Sequence, residues 1–132
     1  MNVRFFKCSV CGQIAALVED TGVPLVCCGE EMEEMIPGSV DASREKHVPV
    51  IMAVEGRVFV SVGTEPHPMT EAHHISRILL QTANGIQCAE LMPGTEPEVC
   101  FRVCEGDEVI AAYALCNLHG LWKTEYRPEK EG

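Results

Sequence analysis

The segment Cys8-x2-Cys11, followed by the adjacent pair Cys27-Cys28, gathers four of the chain's eight cysteines near its start. In a reducing compartment, thiols at such short spacings are metal ligands more often than disulfide partners. Four thiolates make a soft donor set suited to zinc or to a single iron in tetrahedral sulfur. Structural zinc sites ordinarily use two separated Cys-x-x-Cys knuckles, so the vicinal pair tilts the reading toward iron. Successive side chains of an extended strand face opposite ways. For both sulfurs to reach one metal the backbone must kink there, and Gly29 is placed to permit it. A closed four-thiolate site leaves no position for a substrate, so its role is structural, electron-transferring, or both.

A second constellation lies farther along. In "LCNLHGLW" (115–122) Cys116 precedes His119 by one short bend, and no further Cys-x-x-Cys follows to complete a zinc knuckle. The five histidines, His47, His67, His73, His74 and His119, all fall after residue 40. His47 is expected to open a strand, and His67 and His73 to flank a turn in which "MTEA" (69–72) forms one helical turn. These are positions from which a rigid sandwich can present ligands at one end. Side chains at 73 and 74 would face opposite ways at the start of a strand, so only one of that pair can aim at a shared metal.

The elements that must position these residues follow from composition and patterning. At 132 residues the chain suits one ordinary domain, or a small module followed by a domain of about 100 residues. "EEMEEMIPGSVDASREK" interrupts the apolar patterning, which sets a boundary near Pro37. The preceding piece is too short to be stabilised by a hydrophobic core alone, so a bound metal must hold it together. Seven β-rich runs come after it, at 48–54, 57–62, 74–81, 86–91, 99–104, 109–115 and 120–126. Turn signals separate them, Asn84-Gly85 being the strongest. Such a series fits an antiparallel β-sandwich of immunoglobulin type better than a barrel. Cys88, Cys100 and Cys104 are expected to be small buried hydrophobes.

The formal net charge of −10 argues against nucleic-acid binding, since no stretch concentrates Lys and Arg. It would also repel a small anionic substrate at long range, so an enzyme acting on one needs a locally positive mouth. The start "MNVRFFKCSVCG" lacks the apolar run of a signal peptide and no window is apolar enough for a membrane span, so a soluble, cytoplasmic protein is expected.

"REKHVPV" (44–50), "EPHPMTEAHHI" (65–75) and "CNLHGLW" (116–122), behind Cys8-x2-Cys11 and Cys27-Cys28, resemble desulfoferrodoxin, the two-iron class of superoxide reductase. The resemblance covers nearly the whole chain. It implies an all-β protein: a desulforedoxin-like (rubredoxin-like) iron module over 1–37, then a seven-stranded immunoglobulin-like catalytic β-sandwich over 38–132. It assigns Cys8, Cys11, Cys27 and Cys28 to one iron, and His47, His67, His73, Cys116 and His119 to a second, leaving His74 as the bystander. It implies one-electron reduction of superoxide to hydrogen peroxide without release of oxygen, a rubredoxin-like electron donor, and a homodimer joined partly through the small module.

Five protein ligands are more than a tetrahedral zinc site uses, and they leave a sixth octahedral position free. An axial thiolate donates electron density toward whatever binds opposite it. By the same resemblance, Lys46 supplies the positive charge near the open position and Glu45 can occupy that position in the resting state. Asn117 and Gly120 are expected to shape the ligand loop. Two other readings compete. A non-catalytic electron-transfer protein explains the first cysteines but not a vacant position. A zinc-dependent hydrolase, with three ligands and a carboxylate base, leaves two ligands of the set without a purpose.

Overall fold

The computed structural model describes residues 3–40 and 42–128. Its first part is built from very short strands: β1 (Phe5–Lys7), β2 (Ile14–Ala16), β3 (Val26–Cys27), β4 (Glu30–Glu31) and β5 (Glu33–Met35). β1 lies between β2 and β5, and β3 pairs with β4 in a separate hairpin. After a single helical turn, α1 (Arg44–His47), come β6 (Pro49–Val54), β7 (Arg57–Val62), β8 (Ile75–Thr82), β9 (Gly85–Glu90), β10 (Glu98–Arg102), β11 (Val109–Cys116) and β12 (Gly120–Glu125). The expected strands are therefore present, with ends shifted by a residue or two.

Those seven strands form two antiparallel sheets, β10-β7-β6 and β12-β11-β8-β9. Alternation explains how they pack. In β7, Val58, Val60 and Val62 point inward and meet Ile75, Ile78, Leu80, Ala112, Ala114 and Cys116 from the other sheet, with Phe101 of β10 joining them. The four-stranded sheet is buried on its opposite face too. There Leu79, Ala111, Tyr113 and Leu121 pack with Phe5 of β1, flanked by Val3 and Met35. This is why β8 and β11 read as nearly continuous apolar runs: one face meets the partner sheet, the other meets the small module.

Three local expectations are corrected. Residues 69–72 do not form a helical turn; a bend runs over 70–73. Thr70 turns back instead, its backbone N–H and its hydroxyl both donating to the His73 carbonyl, a local bond that competes with helix formation. His47 ends α1 rather than opening a strand. Cys88, Cys100 and Cys104 are exposed, because Val99 and Phe101 take the inward positions of β10 and Cys88 lies on the edge strand β9. No helix among the described residues is long and apolar enough to cross a membrane.

Candidate metal centres

The first centre is shaped by two turns. Gly12 N–H bonds to the Cys8 carbonyl at 3.0 Å, curling Cys8-x2-Cys11 so that the Cys11 N–H faces the Cys8 sulfur at 3.5 Å. The other pair sits on the β3–β4 hairpin, whose two turn residues both take positive φ, Cys28 at 54° and Gly29 at 76°, as a type I′ turn requires. The expected kink is thus made by Cys28 itself with Gly29 behind it. All four sulfurs lie within 4.8 Å of one another, with Cys11 to Cys27 at 3.7 Å and Cys27 to Cys28 at 3.9 Å. Metal–sulfur bonds of about 2.3 Å in a tetrahedron give edges of about 3.8 Å, so the spacing fits a bound metal and is far too long for a disulfide.

Electrostatics point the same way. The Cys8 thiol is held down to about 6, first by the Cys11 backbone N–H. Cys27 is pushed up to about 12 by the neighbouring sulfurs of Cys8 and Cys11. The pocket stabilises one thiolate and resists the next, which is the behaviour of a site that needs a cation to complete it.

The second centre lies at one end of the sandwich. His47 arrives at the end of α1, His67 and His73 on the connection between β7 and β8, Cys116 at the end of β11, and His119 in the hairpin to β12. Cys116 pairs with Gly120, whose φ of 76° closes a three-residue loop. A register shift between Leu115 and Cys116 interrupts the β8–β11 ladder beside it, in the manner of bulges that re-aim side chains near active sites. Cys116 follows Ala112 and Ala114 on the inward face and is 2 % exposed.

Around it the imidazoles form a closed ring. Centroids are 4.7 Å apart for His47–His67, 4.7 Å for His67–His73, 5.0 Å for His73–His119 and 4.8 Å for His119–His47, each ring standing nearly perpendicular to its neighbours. Backbone carbonyls choose which nitrogen faces in. His47 Nδ1 donates to the Ser43 carbonyl and His67 Nδ1 to that of Pro68, at 2.6 Å for the latter, freeing Nε2 in both. The Nε2 atoms of His67 and His73 are buried with no hydrogen-bond partner, an arrangement that normally costs free energy. Ligand atoms of His47, His67, His73 and Cys116 lie within 4.8 Å of one another. His119 joins through Nδ1, 3.0 Å from His47 Nε2 and 3.9 Å from Cys116 Sγ. Bonds of about 2.1 Å meeting at a right angle would separate two nitrogens by about 3.0 Å, so the donor set fits a metal.

Burial comes first among the causes that lower His47, His67 and His73, bringing His67 to about 4. The rings are therefore neutral in neutral solution, as ligation requires. Burial pushes the Cys116 thiol up, while the N–H groups of Leu118 and His119 oppose it.

His74 is excluded, as expected, but by hydrogen bonding rather than strand alternation: its Nδ1 is bonded to the Thr70 carbonyl at 3.0 Å. Asn117 ties the two ligand loops together, its side chain accepting from His74 N–H at 2.8 Å and donating to the Ala72 carbonyl at 3.0 Å. Trp122 was not singled out by the sequence reading. It stacks on His47 at 5.0 Å and donates from Nε1 to the His119 carbonyl at 3.0 Å. Its signal was being the chain's one tryptophan, placed directly after the ligand loop. Lys46 and Glu45 are exposed on α1; the Glu45 carboxylate accepts from the Ser43 hydroxyl at 2.6 Å.

A four-sulfur pocket ahead of a β-sandwich that gathers four imidazoles and a thiol at one end defines a two-centre metalloprotein of the redox type. The chain belongs to the desulfoferrodoxin family: residues 39–125 match the desulfoferrodoxin model and residues 2–35 match that of the desulfoferrodoxin N-terminal domain. It is 41% identical over 124 residues to a desulfoferrodoxin from Syntrophotalea carbinolica, covering 94% of this chain and 97% of that one. With the desulfoferrodoxin of Nitratidesulfovibrio vulgaris it shares 44% over 123 residues, or 92% of this chain and 95% of the other. The crystal structure of the superoxide reductase from Treponema pallidum superposes with a TM-score of 0.80 at 36% identity, covering 95% of this chain and 100% of that one. The one-iron superoxide reductase from Giardia intestinalis matches 64% of this chain and 99% of its own length, with a TM-score of 0.54 at 35% identity.

Proposed function

We propose that this chain reduces superoxide to hydrogen peroxide at the centre formed by His47, His67, His73, His119 and Cys116, releasing no oxygen. The observation that carries the reading is the closed ring of imidazoles with two buried, partnerless Nε2 atoms beside a buried thiol. Five donors exceed what tetrahedral zinc takes up and suit iron with one position left open. Iron bound there would supply one electron and the coordination position at which superoxide reacts. The protein's part is to hold the donors neutral by burial and aimed inward through the Ser43 and Pro68 carbonyls and the Trp122 and Asn117 contacts. Lys46 offers superoxide a local cation against the −10 background. Its charge is among the causes that lower His47 and His73, in keeping with a field that reaches the centre. From Nζ it orients the water that delivers a proton. Glu45, the adjacent carboxylate, would compete with superoxide for bound iron and would have to withdraw for substrate to react.

On this reading Cys8, Cys11, Cys27 and Cys28 hold the second iron, residues 1–37 form the small module and 38–132 the catalytic unit. A rubredoxin-like protein supplies electrons and the chain works as a homodimer joined partly through the small module, both supported by family resemblance; it acts in the cytoplasm, where closely spaced thiols stay reduced and free to bind metal. The decisive experiment mixes reduced, iron-loaded protein with superoxide and measures both peroxide and oxygen. One peroxide for each superoxide consumed, with no oxygen, is expected. Oxygen release would mean dismutation, and unconsumed superoxide would mean a carrier of electrons only.

A further inference from the structure

Beside Cys116 the four-stranded sheet is finished by side chains. β8 and β11 pair regularly up to Leu115 and Arg77, then shift, so that Cys116 stands opposite Ile75 and Ser76 is left as the extra residue. On the other side of β8, β9 pairs as far as Arg77, and Leu91 N–H reaches one residue more, donating to the Ser76 carbonyl at 3.0 Å. Two side chains then close the end. The Ser76 hydroxyl donates to the Leu115 carbonyl at 3.3 Å, and Ile75 N–H donates to the Met69 thioether at 3.4 Å. Thioether sulfur is a weak acceptor. Ile75 is nonetheless 0% exposed, and a buried N–H with no partner at all is costly. Met69 is itself held in place: its carbonyl accepts from Gly94 N–H at 2.7 Å, and its side chain packs on the core cluster that contains Ile75 and Cys116.

We propose that Met69 and Ser76 are positioning residues for the Cys116 sulfur, fixing the register shift that sets where it stands. The proposal rests on the reading of Cys116 as an iron ligand and adds what aims it. Ser76 holds the residue before Cys116, and Met69 holds the residue across from it. Met69 also lies between His67 and His73, so one side chain couples the loop of two imidazoles to the strand end that bears the thiol. Methionine is often a mere filler of gaps in a core; here its sulfur meets a backbone donor. A ligand sulfur moved from its place alters its overlap with bound iron, as changes around a ligand generally do.

Four variants of the full chain test this: Met69→Leu, which keeps the bulk and loses the acceptor, Met69→Gln, which restores one, Ser76→Ala and Ser76→Thr. The difference spectrum of oxidised, iron-loaded protein against Cys116→Ser isolates the sulfur-to-iron band of the histidine centre. Met69→Leu and Ser76→Ala are each expected to displace that band with iron content unchanged, and Gln and Thr to return it toward wild type. In metal-free protein, exchange of the Ile75 amide is expected to quicken about tenfold or more in Met69→Leu and to slow again in Met69→Gln. A band unmoved in both Met69→Leu and Ser76→Ala, or a displacement that Gln and Thr do not reverse, would overturn the proposal and leave Cys116 a ligand. Should Met69→Leu not fold, the Ser76 pair decides by the same criterion. A wild type whose spectrum matches that of Cys116→Ser would overturn the ligand reading as well.

Discussion

Lys46 and His47 are neighbours on one helical turn, yet they face opposite demands. His47 is buried and held neutral, whereas Lys46 is exposed and carries the charge that an anion needs to approach a chain of net charge −10. Lys46→Ala is expected to slow the second-order reaction with superoxide about tenfold or more at low ionic strength, with the metal content unchanged; stopped-flow or pulse-radiolysis rates check it. The imidazoles leave a signature of their own in metal-free protein. His67 is lowered from the usual 6.5 to about 4, and His47 and His73 are lowered as well. The unfolded chain therefore binds more protons than the folded one between those values. Apoprotein stability is expected to fall as pH drops from about 6.5 to about 4, and to be flat with respect to these groups above it. Urea midpoints across that range measure the effect, and a midpoint independent of pH would contradict the burial assigned to these rings.

Among the elements, the turn after β7 governs where α1 can lie. Gly63 has a φ of 85°, and a Cβ there would stand 2.2 Å from the Glu65 carbonyl oxygen, 2.7 Å from that of Glu45 and 2.8 Å from Lys46 Cα. Its N–H bonds to the Val48 carbonyl at 3.0 Å, while Glu65 N–H and the Thr64 hydroxyl both donate to Glu45 O. Gly63→Ala is expected to cost about 1–3 kcal/mol in thermal or urea unfolding, and to weaken retention of the iron at the histidine centre by displacing His47. The same segment shows what was legible beforehand. All seven sandwich strands were readable because β-branched runs alternate between Gly-rich turns, and the five donors of the second centre were readable by resemblance. The bend at 70–73 was not, because Met, Glu and Ala around Thr70 favour a helical turn and its competing bond to the His73 carbonyl exists only once the chain folds back. The surface placement of Cys88, Cys100 and Cys104 was misjudged for another reason: small thiols are found on either face, and only their neighbours decide. Trp122 escaped because a stack between residues far apart in sequence leaves no periodic trace.

At the scale of the molecule, the small module has almost no core of its own. Its strands are two or three residues long, and Phe5 is buried against Leu79, Ala111, Tyr113 and Leu121 of the sandwich. Folding of so short a piece has to draw on metal binding. Replacing Cys11 and Cys28 with Ser is expected to strip the first centre and raise hydrogen exchange throughout residues 8–35, while β8 and β11 stay protected. Protection retained across 8–35 would show that docking alone suffices.

The double burial of the four-stranded sheet carries a further meaning. Leu79, Tyr113 and Leu121 make its outer wall oily only because something always leans on it. A shortened version of this protein, beginning at the catalytic unit, would bare that wall to water and clump before its chemistry could be assayed. Any ancestor or derivative living without the leading segment would have had to repaint those positions with hydrophilic side chains.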